Sequence, residues 1–157
     1  MIRRCTLVSV GRLKGWAAEG CDDYAKRLRR HFPIEIIEVV EEDMNRHSAG
    51  EVLAAEAGRI FKRLPADAHV ISLDRERGKQ LPSEGLARRL DALGLGGRSH
   101  VAFVLGGPLG LSSGVLGRTD ETWSFGEITL PHALARMILL EQVYRAVKIQ
   151  RGEKYHW

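Results

Sequence analysis

The run His100-Val101-Ala102-Phe103-Val104-Leu105 constrains this chain most, because no polar side chain follows its first residue and a glycine loop ends it. Such a run reads as a buried strand, which needs covering layers. The rest of the sequence supplies them by alternating strand-like with helix-like stretches. Thr6 to Val10 is a second buried run, closed by Gly11. Trp16, Tyr24 and Leu28 then recur at helical spacing, and Pro33 stops that helix. Ile34 to Val40 is rich in β-branched residues and reads as a strand.

Ser48-Ala49-Gly50-Glu51 has the spacing of a capping box, in which each side chain satisfies a free backbone N–H. It opens a helix carrying Leu53, Ala57, Ile60, Phe61 and Leu64. Val70 to Asp74 is a strand, followed by a charged loop from Arg75 to Gln80. Ser83 is placed to cap a helix bearing Leu86, Leu90 and Leu93, ended by Gly94, Gly96 and Gly97. After the loop Gly106 to Gly110, Ser112 and Ser113 precede a short helix. Glu121 to Leu130 is irregular, with Trp123 and Phe125 packed inside. Pro131 opens the longest helix, which runs to about Gln150, and Gly152 ends it. No repeat or linker interrupts the pattern, so residues 1–157 read as a single α/β domain.

Composition narrows the class. With 157 residues, 44% hydrophobic and 28% charged, the chain can bury a real core. Lys and Arg number 24 against 20 acidic residues, a net charge of +4 that suits a polyanionic partner such as RNA, although many basic proteins bind none. Two cysteines make no disulfide framework. No apolar run spans a bilayer and no leader opens the chain, so a cytoplasmic protein without membrane contact is expected. The histidines and cysteines show no metal-binding spacing, and no metal is expected. Neither a phosphate-binding G-x-x-x-x-G-K-[ST] loop nor a G-x-S-x-G elbow occurs.

Three stretches could carry chemistry. Gly106 to Gly110 follows a buried strand, where missing side chains let backbone approach a ligand; taken alone, the loop is better explained as a plain tight turn. Trp123 to His132 follows as irregular backbone, whose free N–H and C=O groups could bind a ligand. In the last helix and the tail after it, Glu141 and Arg145 have ion-pair spacing, while Arg136, Lys148, Arg151 and Lys154 add charge that could be a solvated face. The tail Tyr155-His156-Trp157 is too aromatic for a fraying terminus and suggests docking.

Taken in order, Leu105-Gly106-Gly107-Pro108, Leu130-Pro131-His132, Arg136, Glu141-Gln142, Tyr144-Arg145-Ala146 and Tyr155-His156 resemble the SPOUT methyltransferases, in particular small bacterial members that act on ribosomal RNA. Val10-Gly11 with Lys14, Tyr24 with Lys26-Arg27-Leu28, and Leu73-Asp74 with Gly78-Lys79 extend the likeness over nearly the whole chain. The resemblance implies an α/β fold with a mainly parallel sheet and a C-terminal trefoil knot. It implies methylation of N3 of a pseudouridine in large-subunit (23S) ribosomal RNA on the assembled ribosome. S-adenosyl-L-methionine would be the donor, S-adenosylhomocysteine the product, and the protein a homodimer. Leu73 and Gly107 would border the cofactor, and Gly126, Glu127, Ile128, Thr129, Leu130 and Pro131 would complete its cradle. Tyr155 and His156 would approach the acceptor base, with His156 the candidate proton acceptor by its near-neutral pKa. Arg145 would face RNA or order the site. Leu109, Gly126, Lys154 and Trp157 depart from the usual pattern. Two other readings stay open: a non-catalytic basic RNA-binding module, and a nucleotide-binding regulatory α/β domain for which the glycine loop would suffice.

Overall fold

The computed structural model describes residues 1–155. The strands β1 (Arg4–Val10), β2 (Ile34–Val39), β3 (His69–Leu73), β4 (Lys79–Gln80), β5 (His100–Leu105) and β6 (Glu121–Ser124) form one sheet in the order β2-β1-β5-β3-β6-β4. Every pairing is parallel. Parallel neighbours need crossover connections, and helices supply most of them: α1 (Gly15–Arg29), α2 (Ala49–Phe61), α3 (Ser83–Leu95) and α4 (Ser113–Arg118), with α5 (His132–Gln150) closing the chain.

Both faces of the sheet are covered, so the central strands are buried at nearly every position, Thr6, Ser9 and Ser72 included. On one face Cys5, Leu7, Val101, Phe103 and Leu105 pack with Cys21, Ala25 and Leu28 of α1, Leu86 and Leu90 of α3, and Leu139, Leu140 and Val143 of α5. On the other, Val8, Val10, Ala102 and Val104 meet Ala57 and Ile60 of α2 and Val115 of α4. The capping box at α2 forms as read: Glu51 N–H donates to Ser48 Oγ at 3.2 Å and Ser48 N–H to Glu51 Oε1 at 3.1 Å.

Tertiary contacts correct several local expectations. Trp16 is 64% exposed; α1 buries the expected Leu28 together with the small residues Ala17, Cys21 and Ala25, and Tyr24 packs against that core. Ser83 is the first residue of α3 rather than its cap, and its hydroxyl donates to Gln142 Oε1 at 2.7 Å, tying α3 to α5. Gly94 lies inside α3, where a Cβ would come within 2.3 Å of the Met1 carbonyl oxygen. Lys79–Gln80, read as loop, forms the edge strand β4. Glu121 to Ser124, read as irregular, is the strand β6 between β3 and β4.

At the amino-terminal end of β6, Glu121 joins three elements. Its Oε1 accepts from His69 Nε2 at 2.7 Å and from Arg89 at 2.5 and 2.8 Å, while Trp123 Nε1 donates to Oε2 at 3.2 Å. Burial pushes the Glu121 carboxyl up, but these hydrogen bonds outweigh it and hold the group below its usual range. A depressed carboxyl contributes stability that is fully present above its unfolded pKa and lost as pH falls through the folded value. Glu121→Gln should therefore cost about 2 kcal/mol at neutral pH and flatten the acid limb of a plot of melting temperature against pH. An acid limb as steep as that of the unaltered chain would refute this role.

Candidate active site

The carboxyl ends of β5, β3 and β6 lie side by side in the sheet, so the loops that follow them converge on one edge. Carboxyl-end crevices of parallel sheets are ready ligand sites, because the loops there present unpaired backbone groups. Two adjoining hollows open at this edge. The inner one, about 140 Å³, is bordered by Leu73, Leu105, Gly106, Gly107, Phe125 and Leu130 among others. The outer one, about 570 Å³, is reached past Asp74, Gly107, Leu109 and Thr129.

Each wall has a local cause. Asp74 closes the turn after β3 by accepting the Glu76 and Arg77 N–H groups at 3.0 and 2.8 Å on Oδ1. Gly78 ends that turn against β6, where a Cβ would lie 2.2 Å from the Trp123 carbonyl carbon. After β5 the chain reverses at once: Gly110 N–H donates to the Gly107 carbonyl at 2.9 Å. A Cβ on Gly106 would fall 2.3 Å from the Gly110 carbonyl oxygen, so Gly106 is the sterically obligatory glycine of this turn. Gly110 takes a φ of +77° and Gly126 a φ of +117°, both in the left-handed region that favours glycine.

The third wall is the irregular stretch after β6. Ser124 Oγ donates to the Arg75 carbonyl at 2.9 Å and accepts the Gly126 N–H at 3.2 Å. Arg75 Nη1 donates to the Glu127 carbonyl at 2.9 Å, so the turns after β3 and β6 brace one another. This leaves Ile128 71% exposed beside the inner hollow.

Of the residues singled out from sequence, Leu73, Gly107, Gly126, Ile128, Thr129 and Leu130 border the hollows. Glu127 is exposed and linked to them through its carbonyl, and Pro131 caps α5. Asp74, Arg75, Leu105, Gly106 and Gly110 also border the hollows and were not singled out as cofactor residues. The Asp74 turn could have been found from a carboxylate at a strand end before a charged loop.

Arg145 and Tyr155 lie elsewhere. Tyr155 stacks edge-on against Tyr144 with ring centroids 5.0 Å apart, its hydroxyl donates to Glu141 Oε1 at 3.2 Å, and Arg145 covers its ring at 4.9 Å. Burial first, then the Glu141 charge, push the Tyr155 phenol well above its ordinary range. Arg145 also pairs with Glu141 at 2.6 Å. Glu141 is nine positions into α5, roughly 13 Å along the axis from its start beside the hollows. His156 lies outside the described residues.

Arg136 is not part of a solvated face. It is 2% exposed and bridges α5 to β2 and β1, with Nη1 on Glu38 Oε2 at 2.5 Å and Nη2 on the Gly11 carbonyl at 2.9 Å.

A family model described as "Predicted SPOUT methyltransferase" matches residues 3–156. The chain belongs to the SPOUT methyltransferase family. It is an S-adenosylmethionine-dependent methyltransferase. A relative from Rubrobacter xylanophilus, named ribosomal RNA large subunit methyltransferase H, is 69% identical over the full length of both chains. Proteins of the same name from Bifidobacterium adolescentis and Bacillus thuringiensis are 44% and 46% identical over 98% and 96% of this chain, and 99% and 98% and of theirs respectively. Among solved structures, a probable methylase family protein from Haemophilus influenzae superposes with a TM-score of 0.55 at 15% identity, covering 98% of this chain and 70% of that one. A probable methyltransferase from Bordetella pertussis reaches 0.52 at 16%, covering 93% and 96%. At these identities the structures speak for the SPOUT-like fold alone.

The residues at the sheet edge suit the methyl donor of a SPOUT enzyme. Gly106, Gly107 and Gly110 present backbone without side chains, and Leu73, Leu105, Ile128 and Leu130 offer apolar walls to the nucleoside of the donor. Among the described residues no group of three metal-ligating side chains occurs.

Proposed function

We propose that this SPOUT methyltransferase methylates N3 of a pseudouridine in large-subunit ribosomal RNA on the assembled ribosome. The full-length relative at 69% identity carries the reading most directly, by its name. The basic balance of 24 Lys and Arg against 20 Asp and Glu supports an RNA partner.

When bound, S-adenosylmethionine supplies a methyl group already activated on a sulfonium. What remains for the chain is mainly orientation and exclusion of water. Leu73, Gly107 and the backbone of Gly126 to Pro131 hold the donor, and the Arg75 contact to the Glu127 carbonyl keeps that backbone in place. Pseudouridine N3 must lose a proton as its bond to carbon forms. Tyr155 orients the base, and His156 accepts the proton.

The same reading includes a homodimer with composite sites. Leu134, Met137 and Ile138 of α5 stay only half-buried, and Tyr155 docks away from its own chain's hollows. It also includes the trefoil threading, supported by β6 lying between β3 and β4 although it follows both in sequence.

The deciding experiment is mass spectrometry of ribosomal RNA from cells with and without the gene, where one pseudouridine should lose one methyl group. An unchanged modification pattern would sink the reading. Ribosome affinity should fall as salt rises. Arg145→Ala or Lys148→Ala should make that slope shallower by about one unit if the residue meets a phosphate. Both already hold internal partners, Glu141 and Glu153, which an RNA phosphate would have to replace or share. A salt-independent affinity would make the basic balance incidental.

A further inference from the structure

Behind the glycine turn lies a carboxylate that the site described above does not use. Glu56, on α2, is 3% exposed. Its Oε2 accepts the Glu42 N–H at 3.0 Å, and none of the ion pairs among the described residues includes it. Arg59, one turn further along α2, is committed elsewhere: Nη2 to Glu42 Oε2 at 2.5 Å and Nη1 to the Val40 carbonyl at 2.9 Å. Glu41 and Glu42 add further negative charge around it. Burial pushes the Glu56 carboxyl up, against the pull of the Glu42 hydrogen bond and of the Arg59 charge.

What Glu56 faces is Gly107. A Cβ built on Gly107 would lie 3.5 and 3.6 Å from Glu56 Oε1 and Oε2, so the carboxylate sits directly beneath the turn that borders both hollows. Leu53, one turn earlier on α2, lines the outer hollow itself. A buried carboxylate with no cation bonded to it, and whose nearby Arg59 is hydrogen-bonded to Glu42 and Val40, is costly unless further positive charge arrives from elsewhere. The methyl donor brings such a charge: its sulfonium is cationic, and the thioether left after transfer is neutral, while the rest of the ligand keeps its charges. Through a weakly polar layer of backbone, attraction between charges persists beyond contact distance.

We propose that Glu56 is the counter-charge by which this cradle favours S-adenosylmethionine over S-adenosylhomocysteine. It acts across the Gly107 turn without touching the ligand, as an electrostatic positioning residue. Once the methyl group has left, the attraction ends and the product is released more easily. This rests on the placement of the donor at Gly107.

Calorimetry with both ligands tests it on the unaltered chain, Glu56→Gln and Glu56→Asp, with the exposed Glu51→Gln as control. The unaltered chain should prefer the cationic ligand. Glu56→Gln keeps an oxygen for the Glu42 N–H and should weaken S-adenosylmethionine about tenfold while leaving S-adenosylhomocysteine within about twofold. Glu56→Asp and Glu51→Gln should retain the preference. Equal weakening of both ligands would assign Glu56 a structural role and overturn the proposal, as would an unchanged ratio. If Glu56→Gln does not fold, the unaltered chain still decides: no preference for the cationic ligand overturns the proposal. If Gly107→Val leaves both affinities intact, the donor placement fails and takes the proposal with it. An unchanged ratio alongside Gly107-sensitive binding removes the Glu56 role alone.

Discussion

Gly107→Val will weaken S-adenosylmethionine binding by about 5–150-fold, the range that 1–3 kcal/mol of overpacking implies. The route is indirect. A Cβ on Gly107 points inward, to 3.1 Å from Val10 Cγ1 and 3.5 Å from Glu56 Oε1, and valine carries two further carbons beyond it. Val10 belongs to the packed face of β1 and cannot recede. The turn must therefore move outward, into a hollow of only about 140 Å³. Gly106→Ala should be at least as severe, because its Cβ would meet the Gly110 carbonyl oxygen at 2.3 Å, backbone against backbone. Gly117→Ala, where a Cβ meets nothing within 4 Å, is the neutral control. Calorimetry on folded protein measures all three. An unchanged affinity for Gly107→Val would remove the donor from this edge of the sheet.

The second large effect is a rescue. A chain truncated after Gly152 and a chain carrying Gly107→Val should each be inactive, and subunit exchange between them should restore activity that neither shows alone. In the mixed dimer, the intact cradle of the truncated chain meets the intact tail of its companion, so one good site forms. The geometry within one chain motivates this expectation. Tyr155 is held on Tyr144 and Glu141, part-way along α5, and does not border either hollow of its own subunit. A tail that served its own cradle would leave every mixed site with one defect. Activity staying at parental level despite proven exchange would end the composite-site reading.

Much of the fold could be read locally. The buried run 100–105 and the Ser48-x-x-Glu51 box depend on neighbouring residues, and both formed as expected. The short strands did not yield to the same approach. Lys79–Gln80 and Glu121–Ser124 carry little apolar pattern of their own, and pairing with β3 and with each other makes them strands. Within helices, periodicity named the buried face of α3 through Leu86, Leu90 and Leu93 and of α2 through Ala57 and Ile60. In α1 it was right for Leu28 and wrong for Trp16, because Ala17, Cys21 and Ala25 share the buried face while Trp16 faces solvent.

The site divides along the same line. The glycine turn from 106 to 110 and the irregular stretch from 123 to 132 stood out as possible ligand backbone because turn chemistry is a local property, while the choice of Gly107 and of 126 to 131 as cofactor residues came from the family resemblance. No local signal could show that Glu56 would be buried beneath Gly107, that Arg136 would reach Glu38 and Gly11, or that Tyr155 would settle on Glu141. A charged side chain in an amphipathic helix looks solvated until long-range packing decides what lies over it. Sequence by itself determined the alternation of strands and helices and the loops able to approach a ligand. Only the tertiary structure decided the strand order that brings those loops together and the charges enclosed behind them, because both depend on contacts between residues far apart in the chain.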